Sequence, residues 1–431
     1  MNPRLLLTCA LLSWDGVRAL AQEREPFEDA PINYTATQPR DRIARLSATF
    51  QKQADEIRSL PAKKRLRWLL EQLDVPIESQ LLVFSKTSLQ RNLISPETPR
   101  ALFFSDEAYV GWAVGGGFEI TVFDPELGTT FYLLDQHETG SAPLFNRSGE
   151  CLLCHTRHEH TPSLRTRSVF PDANGEPLSG SGGSNIEPST PLSERWGGWY
   201  VTGASSQLQH HGNIIGASIA DFEVPTAKVG RTLPSLKDVV DTHRYPLNTS
   251  DIVALLMHDH QVHVHNVLAT ASQDARIALY RWPAMREILG LPVNAPPSGS
   301  CLVVFNSQAD KVIEALLCKD EAAFPPQGIH GDGVFEKTYA RTRKADAQNR
   351  SLRDLELATR LFRYRCSPLI YSQSFATLPK PLRELILRKL SAGLRAFPPS
   401  ENFAHLDEAE RAAIHEILTA TLPDLPADWG K

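Results

Sequence analysis

The pentapeptide CLLCH at residues 151–155 constrains the chain more than any other segment. Its pattern, C-x-x-C-H, is the attachment signature of c-type haem, in which two thiols bond to the porphyrin vinyl groups and the next residue reaches the iron. We therefore predict one covalent haem c, attached through Cys151 and Cys154, with His155 as the proximal metal ligand. The pattern occurs once in the sequence, which excludes a protein that carries two covalent haems.

The first 21 residues have the order of a secretory signal peptide. Arg4 precedes the apolar run LLLTCALLSW, and ALA at residues 19–21 supplies the small residues that signal peptidase reads. The run is about half the roughly 20 residues that a membrane-spanning helix needs. We therefore expect cleavage near Ala21 and a periplasmic mature chain without a membrane span.

A structural zinc site is an alternative interpretation of the same cysteines, and a bare dithiol is another. The zinc site would use four possible ligands: Cys151, Cys154, His158 and His160. The signal sequence favours haem, because haem c is attached on the far side of the bacterial inner membrane, whereas zinc ribbons are commoner in the cytosol.

Composition excludes several classes of protein. The 431 residues are 42% hydrophobic and 22% charged, which is typical of a globular protein of two or three domains. The net charge of −5 argues against a nucleic-acid binder, because no basic field attracts phosphates. Six cysteines are too few for a disulfide scaffold. Cys301 and Cys318 could form a bridge or, with Cys366, serve as small buried apolar residues.

The order of helix-like and strand-like segments predicts an α+β fold, mainly helical, with a small antiparallel β-meander preceding the haem-binding region. Four β-branched or aromatic runs separated by turn residues predict the meander: ALFF, AYVGW, FEITVF and TTFYLLD. Thr249 or Ser250 is the expected N-cap of a strong helix that has Asp251 in its first turn.

The order of these segments divides the chain into six regions. They are a signal peptide at 1–21, an N-terminal helical region at 22–95, the β-meander at 96–136, a haem-binding region with a histidine-rich helix at 137–290, a connecting region at 291–350 and a C-terminal helical region at 351–431. We predict a strand at 199–202 and further helices at 274–289, 308–320, 351–364, 379–396 and 407–421.

The second axial ligand of the iron is the open position. Histidines are concentrated at 210–211 and along the helix that begins near Asp251: His258, His260, His263 and His265. His260 shares a helix face with apolar residues, so it is either a satisfied core histidine, a ligand, or half of a transition-metal pair with His263. We predict the distal ligand in the order His210, His260, Met257.

Six segments together resemble a family of exported bacterial proteins that carry a cytochrome c domain. They cover most of the mature chain: LLVFSKTSLQRNLISPETPRALFFSDEAYVGW, CLLCH, LSERWGGWYVTG, HHGN, DIVALLMHDHQ and LFRYRCSPLIYS. The chain departs from the family pattern at Ser205-Ser206, where the family has His-Gly, and at His210-His211, where it has a single histidine. The resemblance implies haem c and electron transfer, and it implies no substrate.

These observations predict a periplasmic mono-haem cytochrome c that passes single electrons to a redox partner protein. A pure carrier needs only about 100 residues, so the rest of this chain is expected to bind a partner or a substrate. Two alternatives stay open. One is a peroxidase-like oxidoreductase with an open iron position, and the other is a non-catalytic haem sensor or docking subunit.

Overall fold

The computed structural model describes residues 26–135, 142–156, 161–179, 183–204, 208–218 and 230–430. The predicted signal peptide at residues 1–21 lies outside these ranges, as do His158, His160 and Ser205-Ser206. About 41% of the chain is helical and 12% is strand, and a small antiparallel sheet precedes the helical region. The predicted α+β class is confirmed.

The sheet is a five-stranded meander in which the strand order follows the chain. All neighbouring strands are antiparallel: β1 (Leu81–Val83), β2 (Arg100–Phe104), β3 (Ala108–Trp112), β4 (Phe118–Asp124) and β5 (Gly128–Leu134). The four predicted strands are β2 to β5. Strand β1 was not predicted, because a strand of three residues is too short to show an alternating pattern.

Within the described ranges, helices dominate the rest of the fold. Their bounds are α1 (Arg42–Phe50), α2 (Ala54–Ser59), α3 (Ala62–Gln72), α4 (Leu152–His155), α5 (Ile252–Ile288), α6 (Ser300–Leu316), α7 (Val334–Tyr339), α8 (Gln373–Ala376), α9 (Lys380–Arg395) and α10 (Glu408–Thr421). Two short hairpins lie between α4 and α5: β6 (Arg167–Ser168) with β7 (Ser184–Asn185), and β8 (Gln209–His210) with β9 (Gly230–Arg231). None of the helices in these ranges is long and apolar enough to cross a membrane.

The sheet is covered on both faces. Because side chains alternate along a strand, Phe103, Val110 and Ile120 pack on the core formed with α1 to α3. Tyr109 and Phe131 belong to the opposite face, which shares a core with the first turns of α5. Helices α5, α6, α9 and α10 build a further apolar core.

Helix α5 differs from the prediction in length and in its N-cap. It is one helix of 37 residues, whereas the sequence suggested a second helix from residue 274. The polar residues Ser272 and Gln273 are buried within it and do not break it. Asp251 is the N-cap, because its carboxylate accepts hydrogen bonds from the amides of Val253 and Ala254.

Two other predicted elements are wrong. Residues 351–364 form turns instead of a helix, because the Asp354 carboxylate accepts a hydrogen bond from the Ser351 amide and Leu355 pairs with Phe362 in an isolated bridge. The strand predicted at 199–202 is reduced to isolated bridges, such as the one between Val83 and Trp199.

Candidate functional site

A cavity of about 420 Å³ lies over the α5-facing side of the sheet. Its volume falls in the range of small-molecule and cofactor sites. Side chains from three parts of the chain line it: the sheet, the CLLCH segment and α5. Cys151, Cys154 and His155, which the sequence predicts as the haem attachment site, all belong to the lining, and so does His258.

The floor of the cavity is the pleated surface of the sheet. Tyr109, Thr121 and Phe131 stand directly opposite one another on β3, β4 and β5. Opposed residues point to the same face and strands lie about 4.8 Å apart, so Tyr109 and Phe131 are separated by about 10 Å across the floor.

Gly111 also belongs to the cavity lining, on β3. A Cβ at this position would lie 3.2 Å from both Leu102 Cδ2 and Glu119 Oε2. The glycine therefore makes room for these two side chains, which approach the β3 backbone closely.

The CLLCH segment is compact enough to present three groups together. A 3-10 turn at Gly149–Cys151 leads directly into the single turn of α4. Positions three and four apart share a helix face, so Cys151, Cys154 and His155 point to the same side. Cys151 is half-buried, and burial, together with the charge of Glu119, raises the pKa of its thiol to about 11.

His155 is held in one tautomer. Its Nδ1 lies 2.6 Å from the carbonyl oxygen of Ser163, which can only accept a hydrogen bond, so Nδ1 carries the proton and Nε2 keeps its lone pair. Its ring packs on Phe131 at 4.4 Å between centroids. Burial lowers the pKa of His155, which favours the neutral imidazole that binds metals. This is the arrangement of a metal-ligating histidine with an oriented second nitrogen.

His258 is buried in the same cavity and has an unsatisfied ring nitrogen. Among the described residues its Nδ1 has no hydrogen-bond partner, and the nearest carboxylate oxygen, on Asp259, is 3.9 Å away. The ring is surrounded by aromatic side chains at centroid distances of 5.4–5.8 Å: Phe104, Tyr109 and Trp199. Aromatic packing therefore holds the imidazole at the wall of the cavity.

Tyr109 is fixed beside His258 by a hydrogen-bonded pair. The Nε2 of His265 lies 3.1 Å from the backbone oxygen of Asp106 and so carries the proton. The Tyr109 hydroxyl therefore donates to His265 Nδ1 at 2.8 Å. Burial lowers the pKa of His265 to about 3, so this ring is neutral at physiological pH.

Arg100 and Arg165 both line the cavity but differ in their partners. Arg100 forms a 2.6 Å ion pair with Glu119, which also accepts hydrogen bonds from Ser88 and Gln90. Burial alone would raise the pKa of Glu119, but these partners outweigh it and lower the pKa. Arg165 also lines the cavity, and its buried Nε and Nη2 have no hydrogen-bond partner in the part of the chain that the structure describes. Its guanidinium therefore suits an acidic group on a ligand.

We compared the chain with protein-family models, curated proteins and solved structures. None of them matches. The assignment of a function therefore depends on the chemistry of the cavity residues.

None of the three predicted distal ligands lines the cavity. His210 is buried beside Trp196 with Nε2 3.4 Å from Thr232 Oγ1, and burial lowers its pKa to about 3. His260 contacts Glu321 and Ser367 instead. Met257 is enclosed in apolar packing.

Helical geometry explains why His258 lies at the cavity and His260 does not. Residues two positions apart on a helix are separated by about 200° around the axis, so His258 and His260 face nearly opposite directions. The first turns of α5 are buried all round, so apolar spacing alone did not identify the face at the cavity. His265, one heptad after His258, does lie on the sheet side, which is the signal that marks this face.

Two further alternatives from the sequence concern a metal pair of His260 with His263 and a bridge between Cys301 and Cys318. The imidazole of His263 lies 3.7 Å from Glu187, and the cluster of potential ligands around His260 does not include it. Cys301, Cys318 and Cys366 are buried free thiols, so no bridge joins the first two.

Proposed function

We propose that this protein is a periplasmic mono-haem c-type cytochrome that transfers single electrons. The observation that carries the proposal is the meeting of two histidines at one cavity. His155 presents an Nε2 lone pair from the CLLCH side, and the buried imidazole of His258 lines the same cavity from α5. A bound haem c would supply an iron that cycles between the ferric and ferrous states.

The residues of the cavity fit that group on several independent counts. Cys151 and Cys154 provide the two thiols for covalent attachment. Arg165, whose Nε and Nη2 have no hydrogen-bond partner among the described residues, offers a cation for a propionate. Phe131 and the aromatic side chains around His258 exclude water and thereby influence the reduction potential.

An electron carrier would be favoured over an oxidoreductase of the peroxidase type if His155 and His258 both held the iron. A peroxidase needs an open coordination position for its oxidant. A second histidine ligand would fill that position. Cys154 is exposed, and the neighbouring Leu153 is 72% exposed, so the attachment site faces solvent, where a redox partner can approach.

Covalent attachment is tested by expressing the full chain together with the bacterial haem-maturation machinery. We expect a c-type pyridine haemochrome at about one haem per chain, which stays with the protein on acid-acetone extraction. Cys151→Ala/Cys154→Ala should lose the covalent haem, whereas Cys366→Ala, at a buried cysteine away from the cavity, should retain it.

A chain without a Soret band would overturn the proposal. If such a chain also bound zinc through Cys151 and Cys154, the segment would be a metal site and no cytochrome function would remain. High-spin iron that reacts quickly with peroxide would support the haem-dependent oxidoreductase over the carrier.

A further inference from the structure

A second cluster of potential metal ligands lies on the opposite side of α5 from the cavity. Atoms of His260, Cys318 and Glu321 that can bind metal all lie within 4.8 Å of one another. His260 and Cys318 are buried, and Glu321 is partly buried. None of the three lines the cavity that contains His155 and His258.

The loop after α6 is folded so as to bring the thiol and the carboxylate to His260. Cys318 has a φ of 54° and Asp320 a φ of 60°, a left-handed conformation that residues other than glycine rarely adopt. Two such residues within three positions make the loop reverse sharply between Cys318 and Glu321. Backbone strain of this kind is concentrated at functional sites.

His260 is oriented like a metal ligand. Its Nε2 lies 2.8 Å from Ser367 Oγ, and its Nδ1 lies 2.6 Å from Glu321 Oε1. Histidines that bind metals use one ring nitrogen for the metal and donate a hydrogen bond from the other to a protein oxygen. The 2.6 Å contact identifies Nδ1–H as the donor to the Glu321 carboxylate in the metal-free cluster. A cation would replace that proton, and Nε2–H would then donate to Ser367 Oγ.

We propose that His260, Cys318 and Glu321 bind one zinc ion. Imidazole, thiolate and carboxylate are all zinc ligands, and the thiolate excludes cations that require oxygen ligands, such as Mg²⁺ and Ca²⁺. One thiolate and one carboxylate balance the charge of Zn²⁺, so the buried site carries no net charge.

Metal binding requires a small rearrangement of the cluster. Zinc bond lengths place the ligand atoms of a tetrahedral site roughly 3.3–3.8 Å apart, so the widest separation must close by about 1 Å. His260 Nδ1 and Glu321 Oε1, which are 2.6 Å apart, must separate by about 0.7 Å. Rotation of the Cys318 and Glu321 side chains supplies that movement. Three protein ligands leave the fourth position to water or a small exogenous ligand, as in zinc sites that keep an open position.

The test is the zinc content of the purified full chain after growth with zinc and dialysis against buffer. We expect about one zinc per chain, and an X-ray absorption spectrum at the zinc edge with one sulfur ligand at about 2.3 Å. Cys318→Ser should retain less than about a tenth of the zinc. Cys366→Ser is the matched control, because this cysteine is buried nearby but lies outside the cluster.

Two further variants keep the test independent of folding defects and of the haem proposal. Glu321→Gln preserves shape at a partly exposed position and should also lose zinc while circular dichroism stays unchanged. Cys151→Ala/Cys154→Ala should keep the zinc, which separates this site from the CLLCH segment. Wild-type protein without zinc, or zinc that persists in Cys318→Ser, would overturn the proposal and leave a hydrogen-bonded Glu–His–Ser relay.

Discussion

At the scale of single residues, hydrogen bonding distinguishes the histidines of this chain. His155 keeps an Nε2 lone pair at the cavity and His258 lines the same cavity, whereas both ring nitrogens of His260 contact side-chain oxygens away from it. The C-x-x-C-H spacing could be recognised from sequence because it is local. The position of His258 could not, because it depends on the tertiary packing of α5 against the sheet.

Arg165 offers a test of the cavity's electrostatics. If its unpaired guanidinium lies beside a haem propionate, Arg165→Gln removes a positive charge near the iron and stabilises the ferric state. The reduction potential should then fall by an amount on the order of tens of millivolts. Potentiometric titration measures this, with Arg341→Gln at the exposed surface as the control. An unchanged potential in Arg165→Gln would place the propionates elsewhere.

At the scale of elements, the sheet was more predictable than the connections around it. Strands β2 to β5 show apolar or aromatic runs bounded by turn residues, so their positions follow from local pattern. Residues 351–364 have helix-like spacing, but the Asp354 carboxylate accepts a hydrogen bond from the Ser351 amide and holds the backbone in a turn. Such competition between side chain and helix depends on the three-dimensional surroundings of the segment.

The N-cap of α5 provides a stability prediction. The carboxylate of Asp251 accepts hydrogen bonds from Val253 and Ala254 at the helix start and from the amide of Asp332 in another segment. Asp251→Ala should lower the free energy of unfolding by roughly 2 kcal/mol. Urea denaturation measures the loss. Thr249→Ala, at a residue that the sequence suggested as the cap, should change stability by less than about 0.5 kcal/mol.

If the two variants were equally stable, the capping role of Asp251 would be wrong. Asp251→Ala should also reduce haem incorporation, because α5 carries His258 to the cavity. That second effect is measured as the ratio of Soret absorbance to protein absorbance.

At the scale of the whole molecule, the packing explains why so many residues surround one cavity. The sheet rests on the N-terminal helices on one side and borders the cavity on the other, while the C-terminal helices form a core against α5. Helix α5 therefore lies between two packed units, with His258 towards the cavity and His260 towards the second cluster. We expect the two sites to have no ligand residue in common, although both include residues of the same rigid helix.

Two buried neutral histidines predict the acid sensitivity of the fold. Burial lowers the pKa values of His210 and His265 to about 3, against about 6.5 when unfolded. The unfolded chain therefore binds more protons below pH 6.5, and stability is lost as the pH falls from about 6.5 towards 3. Each histidine contributes about 1.4 kcal/mol per pH unit in this range.

Denaturant titrations of wild-type protein and His210→Gln between pH 5 and pH 7 measure this slope. The variant should lose the part of the slope that His210 contributes, about 1.4 kcal/mol per pH unit below pH 6.5. A variant whose stability depends on pH as steeply as that of wild type would show that His210 is not buried in the neutral form.

The proposed ligation by His155 and His258 is tested most directly by the spin state of the ferric iron in the mature, haem-loaded protein. Ligation by His155 and His258 predicts a six-coordinate low-spin spectrum in wild type, in His210→Gln and in His260→Gln. His258→Ala should instead be high-spin and bind cyanide rapidly. High-spin wild-type iron, or a low-spin spectrum that His258→Ala leaves unchanged, would contradict the placement of His258 as the distal ligand.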